Sequence, residues 1–336
     1  MKIEKNEQRH FVRAYLFKIF NFQFLLPQVM SSYLLRRVLQ VIPITFGILT
    51  LIFALIHLIP GDPAVQIAGE NARPQDVLQV RKDLGLDQPI LTQYIHFLTR
   101  LAHGDLGKSF RTQESVSQEI MARYPATMVL AFGGMFVALL VAIPLGILSA
   151  IYRNSWIDNV ARFFALVGVS MPSFWFGPLL IMAFAIRLNW FPVSGRDDGW
   201  KSLVLPSLTM GLALAAILTR MIRVSLAEEL NQLYVTTAVS KGVSRQKAIF
   251  NHALRNALIP VITIVGLQFG SLLTGAIITE QIFSWPGLGR LLITSISARD
   301  YPQVQASILV IAVTYILVNL LTDILYSFVD PRIQYK

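Results

Sequence analysis

Long stretches without a charged residue dominate this sequence of 336 residues. Six of them run for 18 residues or more without Asp, Glu, Lys or Arg, and a charge at mid-bilayer costs about 2.5 to 3.5 kcal/mol on insertion scales. About 20 helical residues cross the roughly 30 Å hydrocarbon layer, and a helix keeps its backbone hydrogen bonds internal, as lipid requires. The sequence therefore predicts an all-α polytopic membrane protein with six transmembrane helices. The predicted spans are about residues 38–60, 125–152, 163–187, 202–222, 257–280 and 303–325.

The composition agrees with a membrane protein and excludes several other classes. Hydrophobic residues make up 54% of the chain and charged residues only 14%, which argues against a water-soluble fold. The net charge of +10 is concentrated at the borders of the apolar stretches, so a nucleic-acid partner is not expected. Because the chain contains no cysteine, disulfides, thiolate metal sites and cysteine nucleophiles are excluded.

The distribution of Lys and Arg predicts the orientation in the membrane. Six crossings put both termini on one side, whose segments hold 17 Lys and Arg, against 5 in the short segments of the other side. Positive charge favours the cytoplasmic side, so we expect both termini in the cytoplasm. Residues 61–124 then form an extracytoplasmic loop, residues 224–255 a cytoplasmic segment, and residues 1–33 a cytoplasmic or interfacial extension.

The cytoplasmic segment has the pattern of a helix, an elbow and a second helix. Glu228 and Glu229 are expected in the first turns and Lys241 near the end of the first helix, where they match the helix dipole. Gly242 suits a left-handed cap, and Ser244 suits the N-cap of the second helix. One face of the first helix carries Leu230, Leu233, Tyr234, Thr237 and Ala238. That face either packs beneath the bundle or docks a partner.

Patterns for catalysis are incomplete. Gly107-Lys108-Ser109 imitates the end of a phosphate-binding loop, but Ala102 stands where that loop needs its first glycine. No two histidines are four residues apart, and a G-x-S-x-G sequence is absent. Glu280 ends the fifth charge-free stretch, where an interface position explains it as well as a function does. We therefore expect no catalytic residue, no metal and no cofactor.

The cytoplasmic segment resembles a known loop. Thr236-Thr237-Ala238, then Gly242, then the run from His252 to Pro260 is similar to the EAA-type loop of ABC importer permeases, and more narrowly of the dipeptide, oligopeptide and nickel permease family. LLRR, PGDP, GDLG, FSWPGLGR and RDYP follow in the family's order, so the resemblance covers nearly everything after about residue 33. Its motif positions are Arg36, Arg37, Pro60, Gly61, Asp62, Pro63, His252, Arg255, Asn256, Pro260, Pro286, Gly287, Gly289, Arg299 and Asp300.

The chain departs from the family pattern in two places. Thr236 and Thr237 stand where the EAA pattern has Glu and its first Ala, and Arg255 stands where a proline usually follows the leucine. A salt bridge from that Glu is therefore not expected. Family members tend to begin near Met30, so a start of translation at Met30 is one alternative to an extension with a role.

The resemblance implies a B-type permease subunit of a bacterial cytoplasmic-membrane importer, which forms half of the translocation pathway. Its implied partners are a second homologous permease, two cytoplasmic ATPases that bind ATP and Mg²⁺, and an extracytoplasmic solute-binding protein. The residues expected to dock the ATPase are Thr236, Thr237, Ala238, Lys241, Gly242, Val243 and Ser244. Whether the two permeases are identical or different stays open, and the sequence assigns no substrate contacts.

The expected function is ATP-driven import of dipeptides or oligopeptides, and the family leaves glutathione-like peptides and nickel as further cargoes. Two alternatives come from other classes of protein. A secondary transporter or channel would not be powered by ATP and would import through the lone chain, and an intramembrane enzyme would need a site assembled from scattered residues.

Overall fold

The computed structural model describes residues 39–54, 63–69, 72–83 and 85–329. These residues are mostly helical, and their one isolated β-bridge joins Lys108 and Ser115. The first seven helices are α1 (Leu39–Ala54), α2 (Pro63–Ala68), α3 (Pro74–Asp83), α4 (Ile90–Ala102), α5 (Val116–Ile151), α6 (Trp156–Ser170) and α7 (Ser173–Leu180), which a π-helical segment, Ile181–Arg187, continues. The others are α8 (Trp200–Leu230), α9 (Leu233–Ser240), α10 (Arg245–Ala248), a π-helical segment (Ile249–Ala253), α11 (Leu254–Ile282), α12 (Leu288–Ser297) and α13 (Tyr301–Val329).

The centre of the bundle is the pair formed by α5 and α8. Small residues let the two backbones approach closely, as is common between membrane helices. A Cβ atom added to Gly211 on α8 would lie 2.6 Å from the carbonyl oxygen of Gly134 on α5. Helices α6 and α11 pack against α8, so α8 is the most buried of the candidate spans. The large apolar side chains of this core include Leu130, Met135, Met210, Leu214, Leu218 and Ile222.

Helices α11 and α13 pack through a second small-residue contact. Gly266 faces Thr322, and a Cβ atom on Gly266 would lie 2.1 Å from the Cγ2 atom of that threonine. Gly270 lies against the ring of Tyr315 in the same way, at 2.8 Å. The small residues of α11 therefore do mark a close helix contact, but the contact stops before Gly275, which has no atom within 4 Å of its added Cβ.

We expect Gly211→Val to destabilise the bundle by about 2 kcal/mol or more, because overpacking a close contact costs about 1 to 3 kcal/mol. Gly275→Val is the matched control, since it makes the same change in a helix where the added atoms meet open space. The check is thermal stability of the purified chain in detergent. Equal stability of the two variants would contradict the close α5–α8 contact.

Among the described residues, four helices are long and apolar enough to span a membrane: Val116–Ile151, Trp200–Leu230, Arg245–Ile282 and Tyr301–Ile324. They cover the second, fourth, fifth and sixth predicted spans apart from residues 152 and 325, and they extend beyond most of the other span ends. The first predicted span is covered only by α1, because residues 55–62 lie outside the described residues. The described chain thus supports four spans, or five with the bent pair described next, and does not establish all six.

The third predicted span, residues 163–187, is not one straight helix. Helix α6 ends at Ser170, and the helical segment Phe174–Arg187 that follows it is turned by 112° relative to α6. Met171 adopts an extended conformation with ψ of 117°, because Pro172 disfavours a helical residue in front of it. Pro178 within α7 then precedes the π-helical segment. The prolines break this span instead of only kinking it.

The segment between α1 and α5 forms a small helical cap. Helix α3 ends at Asp83, and Gly85 has a φ of +66° in the turn that follows. Helix α4 lies along α1, where the hydroxyl groups of Thr50 and Tyr94 are 2.6 Å apart. The rings of Phe53 and Phe97 also pack together, with centroids 5.7 Å apart. The cap is therefore anchored to the first apolar helix by aromatic contacts.

Candidate functional site

The elbow, defined as residues 233–248, is formed by α9, a turn and α10. The structure corrects one part of its prediction: Glu228 and Glu229 belong to the last turn of α8 and not to the first turns of α9. The break comes at Asn231 and Gln232, where Gln232 is extended with ψ of 145°. The amide of Asn231 donates to the carbonyl oxygen of Ala227 at 2.9 Å and so closes the end of α8.

The turn after α9 has the geometry that the sequence predicts. Gly242 adopts a φ of +89° and donates to the carbonyl oxygen of Val239 at 2.9 Å. Val243 donates to the carbonyl oxygen of Ala238 at 3.1 Å, which completes a Schellman cap. The hydroxyl of Ser244 then accepts a hydrogen bond from the backbone of Lys247 and caps α10. Both predicted capping residues are confirmed.

One face of α9 is free in this chain. Leu233 is 83% exposed, and Tyr234 is 38% exposed. The opposite face carries Val235, which is buried against Ala150 of α5 and Leu226 of α8. Of the two interpretations left open by the sequence, packing beneath the bundle is therefore wrong for Leu233. The face that contacts the bundle is the one that carries Val235.

Tyr234 braces α9 against two neighbouring helices. Its hydroxyl donates to the carboxylate of Glu229 at the end of α8 and accepts from the amide of Asn256 in α11 at 3.1 Å. Partial burial and the Glu229 carboxylate raise the pKa of Tyr234 above its usual value, so the phenol stays protonated at neutral pH. Asn256 thus has a structural reason to occupy its motif position.

The remaining motif positions of this region lie on the surface. Thr236 and Thr237 are exposed. The hydroxyl of Thr237 donates to the carbonyl oxygen of Leu233, and the carbonyl oxygen of Thr236 accepts from the hydroxyl of Ser240, so both bonds stay within α9. His252 and Arg255 are exposed near the start of α11, and Pro260 lies inside that helix. Exposed positions elsewhere in the elbow are Lys241 and Ser244, whereas Ala238 and Val243 are half-buried. Arg36, Arg37, Pro60, Gly61 and Asp62 lie outside the described residues, and Pro63 begins α2.

A buried ion pair lies beside the surface on which α9 rests. Asp158 is fully buried and accepts two hydrogen bonds from Arg223 of α8, at 2.6 and 2.9 Å. Ser149 at the end of α5 donates to the same carboxylate at 2.6 Å, as does the backbone of Asn154 at 3.0 Å. This bidentate arrangement is the strong form of such a pair, and it joins α5, α6 and α8 at one point.

A second buried carboxylate lies at the other end of α5. Glu280 accepts from the hydroxyl of Thr127 at 2.6 Å and from the backbone of Arg290 at 3.0 Å, so it caps the N-terminus of α12. A Cβ atom on Gly287 would lie 2.1 Å from this carboxylate. Trp285 is also buried, and its ring nitrogen donates to the carbonyl oxygen of Ala126 at 2.9 Å. The FSWPGLGR motif therefore wraps around Glu280.

Asp300 joins two other motifs at this end. Its carboxylate accepts from the hydroxyl of Ser109 at 2.5 Å and from the backbone of Phe110 at 3.0 Å. Asp300 is buried, while Arg299 beside it is exposed and has a φ of +52°. The GDLG segment and the RDYP turn are thus held together. Because the hydroxyl of Ser109 is used for this contact, the polar turn at 107–109 has a structural role.

The buried carboxylates of Asp158 and Glu280 mark opposite ends of the bundle. Thr127 contacts Glu280 and Ser149 contacts Asp158, and the 22 residues between them in α5 correspond to about 33 Å of helix. That length is about the thickness of the hydrocarbon layer. The two carboxylates are therefore about one hydrocarbon thickness apart, so both can lie near the edges of the layer. The elbow lies at the same end of the bundle as Asp158.

Sequence reasoning did not identify the partners of these carboxylates. Arg223 and Asp158 are 65 residues apart in the sequence, and no spacing pattern connects them. Glu280 carried a signal, since it is an acid that directly follows the fifth charge-free stretch and comes just before the FSWPGLGR motif. Among the described residues, no three His, Asp or Glu side chains gather into a possible metal site.

Comparison with protein families and curated proteins agrees with this structure. Residues 142–335 match the family described as binding-protein-dependent transport system inner membrane component, and residues 30–131 match its N-terminal membrane component. The glutathione transport system permease protein GsiC of Salmonella choleraesuis (strain SC-B67) is 44% identical over 307 residues, which cover 91% of this chain and all of that protein. The GsiC protein of Escherichia coli (strain K12) is 43% identical over 307 residues, which again cover 91% of this chain and all of that protein.

Solved structures support the same fold. The inward-facing MetNI methionine ABC transporter in its CY5 native crystal form has a TM-score of 0.54 at 15% identity, covering 64% of this chain and 97% of that chain. Its selenomethionine-soaked form gives a TM-score of 0.52 at 13% identity, and the match covers 63% of this chain and 97% of that chain. At such identities the likeness concerns the fold alone. The family matches and the GsiC relatives show that this chain belongs to the inner-membrane components of binding-protein-dependent transport systems, as a permease subunit of an ABC importer in the peptide and nickel branch.

Proposed function

We propose that this permease takes up small peptides in a complex with a second homologous permease, two cytoplasmic ATPases and an extracytoplasmic binding protein. In this complex the chain forms half of the pathway and docks an ATPase through the elbow. Both termini and the elbow face the cytoplasm, and the cap at residues 61–124 meets the binding protein. ATP and Mg²⁺ are bound by the ATPase subunits, because this chain has no complete phosphate-binding loop of its own.

The exposed face of α9 is the observation that carries this proposal. Leu233 is a large apolar side chain that is 83% exposed at the end of a helix bundle, beyond the apolar part of α8. Exposed apolar groups with a polar surround favour a protein contact. Thr236 and Thr237 on the same short helix, and Lys241 directly after it, supply that polar surround.

The contacts of α9 provide a route from an ATPase to the pathway helices. Val235 packs against Ala150 of α5 and Leu226 of α8, and Tyr234 is bonded to α8 and α11 through side chains. A push on α9 therefore acts on three membrane helices at once. The Asp158–Arg223 pair fixes α6 to the same region. Closure of two ATPases would switch access between the two sides of the membrane by moving these ends together.

The cargo is proposed from the relatives. GsiC proteins are named as glutathione transport permeases, and this favours a glutathione-like tripeptide among the small peptides. Dipeptides, longer oligopeptides and nickel complexes are the other cargoes of the branch. One permease half shares the pathway with its partner, so the binding protein contributes to this choice.

Leu233→Asp tests the docking role. We expect the copurified ATPase to fall about tenfold or more, because a charge placed in the centre of a desolvated contact removes a binding hot spot. The measurement is the ratio of ATPase to permease in complexes purified from membranes. Membrane insertion should be unchanged, since Leu233 is 83% exposed and lies outside the hydrophobic core clusters of the described residues.

Leu78→Asp is the matched control, since Leu78 of α3 is also exposed, at 57%, but lies in the cap. It should leave the ATPase ratio unchanged. If the Leu233→Asp variant copurified as much ATPase as the wild type, docking at the elbow would be contradicted. Uptake by the lone chain in vesicles, driven by an ion gradient, would instead assign the protein to the secondary transporters.

A further inference from the structure

A groove lies between the cap and the start of α13. It has a volume of about 690 Å³ and is bordered by α4, the GDLG segment and the first turns of α13. This size falls within the range of about 300 to 1,000 Å³ that is usual for small-molecule sites. The Asp300 contact with Ser109 holds two of its walls together. The groove is therefore a built feature of the cap end of the bundle.

Cations line the rim of the groove. Lys82, Arg100 and Lys108 all border it, together with His96, and the acid among its lining residues is Asp105. The carboxylate of Asp105 already accepts a hydrogen bond from Gly107 at 2.9 Å. None of the three Lys and Arg side chains forms an ion pair with a described residue. The rim thus carries an excess of unpaired positive charge.

Arg100 is positioned by the elements around it. His96 and Arg100 are four residues apart on α4, so they share the face that lines the groove. A Cβ atom on Gly107 would lie 4.0 Å from a terminal nitrogen of Arg100, which places the guanidinium beside the GDLG segment. A planar guanidinium in this place suits a carboxylate, which it can bind through two parallel hydrogen bonds.

The floor of the groove is apolar and contains one unpartnered donor. Phe53 and Phe97 are buried beneath it, with ring centroids 5.7 Å apart. Tyr301 lines the groove and is 5% exposed, and its hydroxyl has no hydrogen-bond partner in the described part of the chain. A buried hydroxyl normally has a partner. A ligand oxygen in the groove would supply one.

We propose that this groove binds the carboxylates of a small anionic peptide as the peptide enters the permease. Cations at the rim would hold the carboxylates, and the aromatic floor would contact the rest of the peptide. The inference rests on the proposed function, since it takes the cap to be the entry side, and it adds a binding site for the cargo within this subunit. An anionic lipid is the competing ligand for a cationic rim above an apolar floor. The limited volume and the donors on several sides favour the compact peptide.

The test uses glutathione as the probe. The complete complex, without its binding protein, is placed in nanodiscs of neutral phosphatidylcholine and titrated with glutathione by saturation-transfer NMR. We expect Arg100→Gln to weaken binding about five- to tenfold, and Lys108→Gln by a smaller factor, because charge-assisted hydrogen bonds are the strong ones. Tyr301→Phe keeps the ring and should cause a smaller loss than Arg100→Gln. Glutathione diethyl ester, whose carboxylates are blocked, should bind wild type and Arg100→Gln equally weakly.

Arg73→Gln is the matched control, because it removes the same charge from an exposed position in the cap that does not border the groove. It should bind glutathione like the wild type. Wild-type affinity in Arg100→Gln, or an equal loss in Arg73→Gln, would overturn the proposal. A second set of nanodiscs contains phosphatidylglycerol, and retention of this lipid that depends on Arg100 while glutathione binding does not would also overturn the proposal. The same titration on the chain without ATPases separates a failure of this site from a failure of complex assembly.

Discussion

Gly242→Val is expected to separate ATP hydrolysis from uptake. Gly242 has a φ of +89°, and an L-residue in this region costs about 1 to 2 kcal/mol, with β-branched side chains the least tolerated. An added Cβ would meet nothing within 4 Å, so the effect comes from the backbone alone. The Schellman cap would loosen and α9 would lose its fixed direction. We expect uptake per ATP hydrolysed to fall about tenfold, which corresponds to about 1.4 kcal/mol.

The measurement is ATP hydrolysis and peptide uptake by the same proteoliposomes. Gly69→Val is the matched control, because Gly69 follows α2 with a φ of +93° and also has open space around it. Gly69→Val places the same backbone strain in the cap and not in the elbow, so uptake per ATP hydrolysed should stay as in the wild type. Gly242→Asn should retain most of the uptake, since Asn tolerates the left-handed region. Normal coupling in Gly242→Val would show that the shape of the elbow is not needed.

Asp158→Ala is expected to be the most destabilising change among the charged residues of the bundle. It leaves Arg223 without its partner beside a fully buried position, and removing one member of a buried pair costs about 3 to 5 kcal/mol. The side chain of Arg223 is 18% exposed, so solvent screens part of its charge and the expected loss is about 3 kcal/mol. Thermal stability in detergent, followed by size-exclusion chromatography, measures this loss.

Arg162→Gln is the control for the same carboxylate. Its closest approach to Asp158 is 3.7 Å and its side chain is 52% exposed, so the change should cost less than about 1 kcal/mol. The double variant Asp158→Leu, Arg223→Met should be more stable than Asp158→Ala, because two apolar groups leave no buried charge unpaired. A double variant as unstable as the single one would mean that the loss comes from packing and not from the unpaired arginine.

Local sequence signals predicted the local structure well. The left-handed Gly242 and the N-cap Ser244 depend on backbone preferences of single residues, and both are found in the structure. The boundary at Asn231 was missed because the helix signal of Glu228 and Glu229 suits an N-terminus as well as an extended α8. The exposure of Leu233 could not be predicted either, since helical spacing defines a face without saying what covers it.

Contacts between distant segments were beyond sequence reasoning. Asp158 and Arg223, or Ser109 and Asp300, are joined only when the bundle is assembled, and a single sequence carries no pattern for such pairs. The break at Pro172 interrupts residues 163–187, which were predicted as one span, because a proline shows where a helix is weakened but not how far the next segment turns. Tertiary packing decides that angle.

A single cysteine at Thr237 tests the central claim most directly, because the chain contains no other cysteine. Thr237 is exposed on α9, so Thr237→Cys should react with a membrane-impermeant maleimide. We predict labelling in inside-out vesicles and none in right-side-out vesicles, and protection from labelling when the ATPase subunits are present. Labelling from the outer side, or labelling that the ATPases do not change, would contradict docking of the ATPase at this elbow.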